Sequence, residues 1–201
     1  MTRYLSTFLF IIVTFFSSIS LSNSNEELGY ILKALKNTGQ HNLLIKLINQ
    51  SNLYDLFSRE TIIPRTFYAP KDQAFKDLPE EVYKKIFVEK DSNIARKILI
   101  NHLFAGKHDY SEVTEDGMVT INLDGKILKI YKNEDLFVKD MVIINKDIEI
   151  NNGLVRSVDC VMFVQPSKDD IRLDSETRNI YSITSCCLRT EEEVKLFLST
   201  I

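Results

Sequence analysis

Residues 66–75 read Thr-Phe-Tyr-Ala-Pro-Lys-Asp-Gln-Ala-Phe, and they constrain the local course of the chain more than any other stretch. Thr66, Phe67 and Tyr68 are strand formers, so the segment begins extended. Pro70 has no N–H to give to a ladder and biases Ala69 away from the helical region, which stops the strand. Asp72 is then placed to cap a short helix that carries Ala74 and Phe75 as buried residues. Strand, proline stop and helical turn make a corner, with Phe67 and Phe75 facing one core from either side.

Helical spacing dominates the first half. Leu28, Ile31, Leu32 and Leu35 form one stripe, ended by Asn37-Thr38-Gly39. Leu43, Leu44, Leu47 and Ile48 continue the period, and Ser51 is placed to cap a third helix with Leu53, Leu56 and Phe57 facing inward. Pro79 followed by Glu80 and Glu81 suits a helix start. Asp91-Ser92-Asn93 opens another helix, with Ile94, Ala95, Ile98, Leu99 and His102 on one side and Gly106 at its end.

The period then changes to two. Val119, Ile121 and Leu123 alternate, Asp124-Gly125 signals a hairpin, and residues 127–131, 136–138, 141–144, 148–150, 154–158 and 161–164 read as short strands. Helices followed by many short strands indicate an α+β fold. The polar tail, residues 167–201, differs in character. Thr190 and Glu193 match a capping box, and Val194, Phe197, Leu198 and Ile201 recur at helical spacing, so a helix is expected over 190–200. It would pack on the domain or on a partner.

The N-terminus has the layout of a secretory signal. Arg3 precedes an apolar run at residues 8–16, and Ser18, Ser20 and Ser22 supply small residues for cleavage. The run is short of the ~20 residues a membrane span needs. Residues 1–22 are therefore expected to be removed, leaving a secreted, extracellular product with no membrane span. An oxidising compartment makes a disulfide available among Cys160, Cys186 and Cys187. Three is odd, so one thiol stays free or forms a disulfide-linked dimer. Asn49-Gln50-Ser51 is an N-glycosylation sequon.

Charge and motif content exclude several classes. The net charge of −3 and the lack of a Lys/Arg run argue against nucleic acid. His41, His102 and His108 sit in no catalytic signature, and no Gly-x-Ser-x-Gly or phosphate-cradling loop occurs. No Cys/His pair has zinc-ligand spacing. Glu191, Glu192 and Glu193 read as the start of the tail helix. No enzymatic activity, cofactor or metal is expected.

Residues 66–75 resemble the first signature of the fasciclin (FAS1, beta-Ig-H3) domain family, T-x-F-A-P-T-x-x-A-F, with Tyr68 and Lys71 as departures. Residues 152–159, Asn-Gly-Leu-Val-Arg-Ser-Val-Asp, resemble its second signature, N-G-V-I-H-x-I-D, and residues 160–166 resemble the ending that follows. Residues 98–108 resemble the segment between them, keeping His102 and Gly106. The resemblance covers residues 26–166. It implies a single-domain secreted member: a β-sandwich-like wedge of short strands with N-terminal helices packed along it.

It also implies a function in cell adhesion or in matrix or receptor binding, through protein–protein contacts with an integrin-type receptor or an extracellular matrix protein. The alternative is a secreted decoy or modulator of host cell-surface receptors, of viral or parasite origin. In adhesive members a Tyr-His segment and an Asp-Ile pair are linked to integrin recognition. The matching positions here are His102, preceded by Asn101 instead of Tyr, and Asp147-Ile148. An exposed Asp147 would supply a carboxylate to a receptor's metal ion, and Ile148 an apolar anchor. The same residue types also fit a turn aspartate, a strand isoleucine and a hydrogen-bonded core histidine. Arg156 stands where the family has His, and Cys160 where a cysteine is not typical.

Overall fold

The computed structural model describes residues 30–114, 116–144, 147–163, 175 and 187–199. The signal-like residues 1–22, Cys186 and most of the tail lie outside the described residues.

The strands form two four-stranded sheets. The first has the order β2 (Leu103–Ala105), β1 (Arg65–Pro70), β8 (Gly153–Val158), β7 (Ile148–Ile150). The second has the order β3 (Met118–Ile121), β4 (Ile127–Lys132), β5 (Leu136–Val138), β6 (Met141–Val142). The helices are α1 (Ile31–Thr38), α2 (Asn42–Gln50), α3 (Tyr54–Ser58), α4 (Asp72–Lys76), α5 (Glu80–Phe87), α6 (Ser92–Asn101) and α7 (Glu191–Ser199). The architecture is α+β, as the change of period predicts.

The two motif segments pair with each other. β1 runs parallel to β8 in unbroken register from Arg65 opposite Gly153 to Pro70 opposite Val158, and both strands are buried throughout. A parallel pair covered on both faces is the arrangement that near-continuous apolar strands favour. Phe67, Ala69 and Val155 face a larger core with the helices, whereas Tyr68 and Val158 face a smaller one with Phe104, Ile130, Val138 and Met141. Phe75 joins Phe67 in the larger core, so the corner packs as its sequence predicts. Each of these rings contributes roughly 1.5–3 kcal/mol through burial.

Gly153 is required where β8 begins, because a Cβ there would overlap the Arg65 carbonyl. The left-handed turn residue is its neighbour Asn152, at φ 58°.

Several local expectations are corrected. Helix α6 ends at Asn101, not Gly106, and residues 103–105 become β2, because antiparallel pairing with Thr66 and Phe67 satisfies both strands. Asp72 does not cap its own helix. Its carboxylate accepts from the Leu43 N–H at 2.7 Å and from Asn42 Nδ2 at 2.9 Å, and so caps α2 from a distance. Ser51 ends α2 and Leu53 is the N-cap of α3. Residues 161–163 are buried but form no strand.

Leu128 and Ile130 of β4 face the smaller core, whereas the Val119 and Ile121 face of β3 points outward, 69% and 45% exposed. The inward member at its end is Asn122, whose amide donates to the Asn101 carbonyl at 3.2 Å and accepts from the Lys126 N–H at 2.8 Å. At α7, the Thr190 hydroxyl accepts from the Glu193 N–H at 3.2 Å, and the Glu193 carboxylate accepts from the Thr190 N–H at 2.9 Å. Phe197 packs edge-on to Phe163, with centroids 4.6 Å apart.

Candidate functional site

The site lies where β7 begins to pair with β8. The Ile144 N–H donates to the Ser157 carbonyl, and Ile148 pairs with Val155. Asp147, the residue before β7, therefore lies beside Arg156. Arg156 lies beside Tyr68 in the β1–β8 register and is wholly buried. Its Nε donates to Asp147 Oδ1 at 2.6 Å and its Nη2 to Asp147 Oδ2 at 2.7 Å. The guanidinium stacks on the Tyr110 ring, 3.3 Å from its centroid. Nη1 has no hydrogen-bond partner among the described residues.

Burial works to lower the Arg156 pKa, but the hydrogen-bonded Asp147 carboxylate together with Tyr110 and Tyr68 outweighs it, and the net direction is upward. Burial raises Tyr68 and Tyr110, with Arg156 pulling the other way. The cluster therefore holds one cation, one carboxylate and two neutral phenols. Breaking such a pair is costly, because the remaining charge is buried without a partner.

Three neutral histidines stiffen the surroundings. His108 Nε2–H donates to the Ala105 carbonyl at 3.1 Å and to Thr120 Oγ1 at 2.8 Å, while Nδ1 accepts from the Tyr68 hydroxyl at 3.0 Å. His102 Nδ1–H donates to the Ile98 carbonyl and Nε2 accepts from the Met162 N–H, both at 2.8 Å. His41 Nδ1–H donates to the Pro70 carbonyl at 2.9 Å, and Nε2 accepts from the Ser157 hydroxyl at 3.1 Å. The carbonyls can only accept, which sets each tautomer. Burial lowers all three pKa values, to about 4 for His102 and His108. The Ser157–His41 contact is one that hydrolases use, but both residues are buried away from any substrate.

The residues singled out in the sequence fall as follows. Asp147 is about one-third exposed in its side chain, with both oxygens on Arg156. Ile148 is half-buried and packs against the larger core. His102 is fully buried and bonds to Ile98 and Met162, not to Asp147 or Ile148. Asn101, in the family's Tyr position, is buried too. Asn49 is exposed on the last turn of α2. Cys160 pairs with Cys187, with Cα atoms 5.9 Å apart, tying the end of the second motif to the start of the tail helix. Sequence reasoning missed Tyr110 and the partner of Arg156. A lone arginine inside a buried strand was the available signal, since it demands a carboxylate nearby. Among the described residues no cluster of metal-ligating side chains occurs.

Two buried motif strands in parallel register, flanked by helices and by a second sheet, define an α+β domain of the fasciclin type. The fasciclin domain family model matches residues 39–164, and the chain belongs to that family. It is 30% identical over 121 residues to the uncharacterized protein sll1735 of Synechocystis sp., covering 60% of this chain and 87% of that protein. It is 28% identical over 119 residues to human periostin, covering 58% of this chain and 14% of periostin. The fold is similar to a FAS1 domain pair from the insect cell adhesion molecule Fasciclin I, with a TM-score of 0.58 and 19% identity. That match covers 68% of this chain and 51% of the pair. FAS1 domains are typically extracellular, adhesion-related modules and are generally non-enzymatic. No helix among the described residues is long and apolar enough to cross a membrane.

Proposed function

We propose that this chain is a secreted interaction module that mediates cell adhesion, or binds a matrix protein or receptor, through protein–protein contacts. The observation that carries this reading is membership of the fasciclin family combined with an Asp147 side chain about one-third exposed beside the edge strand β7. Neighbouring Ile148 packs against the larger core. An integrin-type partner would take the Asp147 carboxylate on a divalent cation, because hard cations prefer oxygen ligands. To do so it must draw one oxygen away from Arg156. His102 contributes from the interior, by fixing the Met162 backbone behind β1 and β8.

Attachment of cells to the immobilised full chain, with and without divalent cations, tests this reading. Cation-dependent attachment above an uncoated surface is expected. Attachment no greater than on the bare surface removes the proposal.

A further inference from the structure

The Cys160–Cys187 disulfide lines a cavity of about 780 Å³, whose charged wall residues are Lys71, Asp77, Asp159 and Arg189. Its two sulfurs are not equivalent. Cys160 is half-buried, whereas Cys187 is 3% exposed within the smaller core. Arg189 Nη2 lies 3.2 Å from Cys187 Sγ. That guanidinium is itself held by the Asp140 carbonyl at 3.2 Å and by the Asp140 and Asp159 carboxylates at 3.9 and 4.0 Å.

Thiol–disulfide exchange needs access to one sulfur and a good leaving thiolate at the other. A neighbouring guanidinium lowers a thiol's pKa and so improves it as a leaving group. Here the more exposed cysteine is Cys160, and the sulfur with the cation is that of Cys187. The asymmetry fixes a direction for the reaction.

We infer that Cys160 is a capture site for a low-molecular-weight thiol of the glutathione class. The incoming thiolate forms a new S–S bond to Cys160 Sγ, and the Cys160–Cys187 bond breaks. Its electron pair leaves on Cys187 Sγ as a thiolate beside Arg189. One disulfide is exchanged for another, so no external oxidant or reductant is consumed. The cavity is large enough for a tripeptide, and its wall carries both signs of charge that a zwitterionic tripeptide needs, Lys71 and Arg189 with Asp77 and Asp159. Capture cuts the covalent tie between the second motif and α7.

The test uses the full chain with Cys186→Ser, which confines exchange to two sulfurs, under native conditions with glutathione as the probe. Adducts are located by mass spectrometry after acid quenching. The expected result is glutathione on Cys160, with Cys187 open to alkylation. Arg189→Gln should slow the reaction roughly threefold, and Arg189→Lys should stay near the parent rate. Circular dichroism checks that both variants are folded. An adduct on Cys187, an unchanged rate in Arg189→Gln, or no adduct without denaturant overturns the inference.

Discussion

The Arg156 guanidinium holds both carboxylate oxygens of Asp147, at 2.6 and 2.7 Å, where β7 begins beside β8. Asp147 is thus the counter-ion of a wholly buried cation before it is anything else. Asp147→Ala is expected to destabilise the fold by about 3–5 kcal/mol, because it strands Arg156 without a partner. The double variant Asp147→Ala with Arg156→Met should recover most of that loss, since an apolar replacement of a buried pair is often neutral. Denaturant unfolding of the single and double variants decides the matter. A single variant as stable as the parent would show that the pair is not structurally coupled.

The buried histidines predict a stability that depends on pH above the carboxylate range. His102 and His108 fall to about 4 in the folded state from an ordinary 6.5, so the folded state binds fewer protons than the unfolded one. Their contribution is fully present above about pH 6.5 and drains away as pH falls toward 4. At pH 5 the loss from His102 alone should be roughly 2 kcal/mol relative to pH 7. His41 acts in the same direction. Urea midpoints at pH 7, 6 and 5 test this, and a flat profile across that range is the contrary result.

Gly153→Ala should cost about 1–3 kcal/mol, the usual range for overpacking, because its Cβ meets the Arg65 backbone carbonyl in the central parallel pair. The Cα of Gly153 does not have a positive φ, so relief of turn strain offers no compensation. Thermal unfolding that matched the parent would place the constraint elsewhere.

The disulfide closes a loop with a sequence separation of 27 residues. Cys187→Ser should therefore lower stability by about 3–4 kcal/mol, on the chain-entropy model of cross-linking. The comparison is clean in the Cys186→Ser background, where no alternative pairing forms. An unchanged unfolding midpoint is the outcome that contradicts it.

The sequence made some of these features legible and hid others, for physical reasons. The corner at residues 66–75 could be read because strand propensity, a proline and a helical turn agree locally, and Phe67 and Phe75 meet as expected. Asp91 was equally readable, and its carboxylate accepts from the Asn93 and Ile94 N–H groups at the head of α6. Asp72 misled because its capping partner lies about thirty residues upstream, where no local pattern points. Residues 103–105 misled because pairing with β1 overrides the helical spacing that runs through His102. The alternation in β3 gave the strand but not its facing, because Asn122 is drawn inward by Asn101 and Lys126. The Asp147–Arg156 pair was divided between two readings, one for each residue. It joins only once β7 and β8 are side by side.

Attachment of cells to the double variant Asp147→Ala with Arg156→Met, beside the parent chain and with divalent cations present, tests the proposed contact most directly. This variant removes the carboxylate without leaving a buried charge behind, so loss of fold and loss of contact are separated. Attachment reduced to the cation-free level, with circular dichroism and unfolding midpoint near the parent's, is the predicted result. Attachment equal to the parent's in a folded double variant contradicts a role for Asp147 in partner recognition.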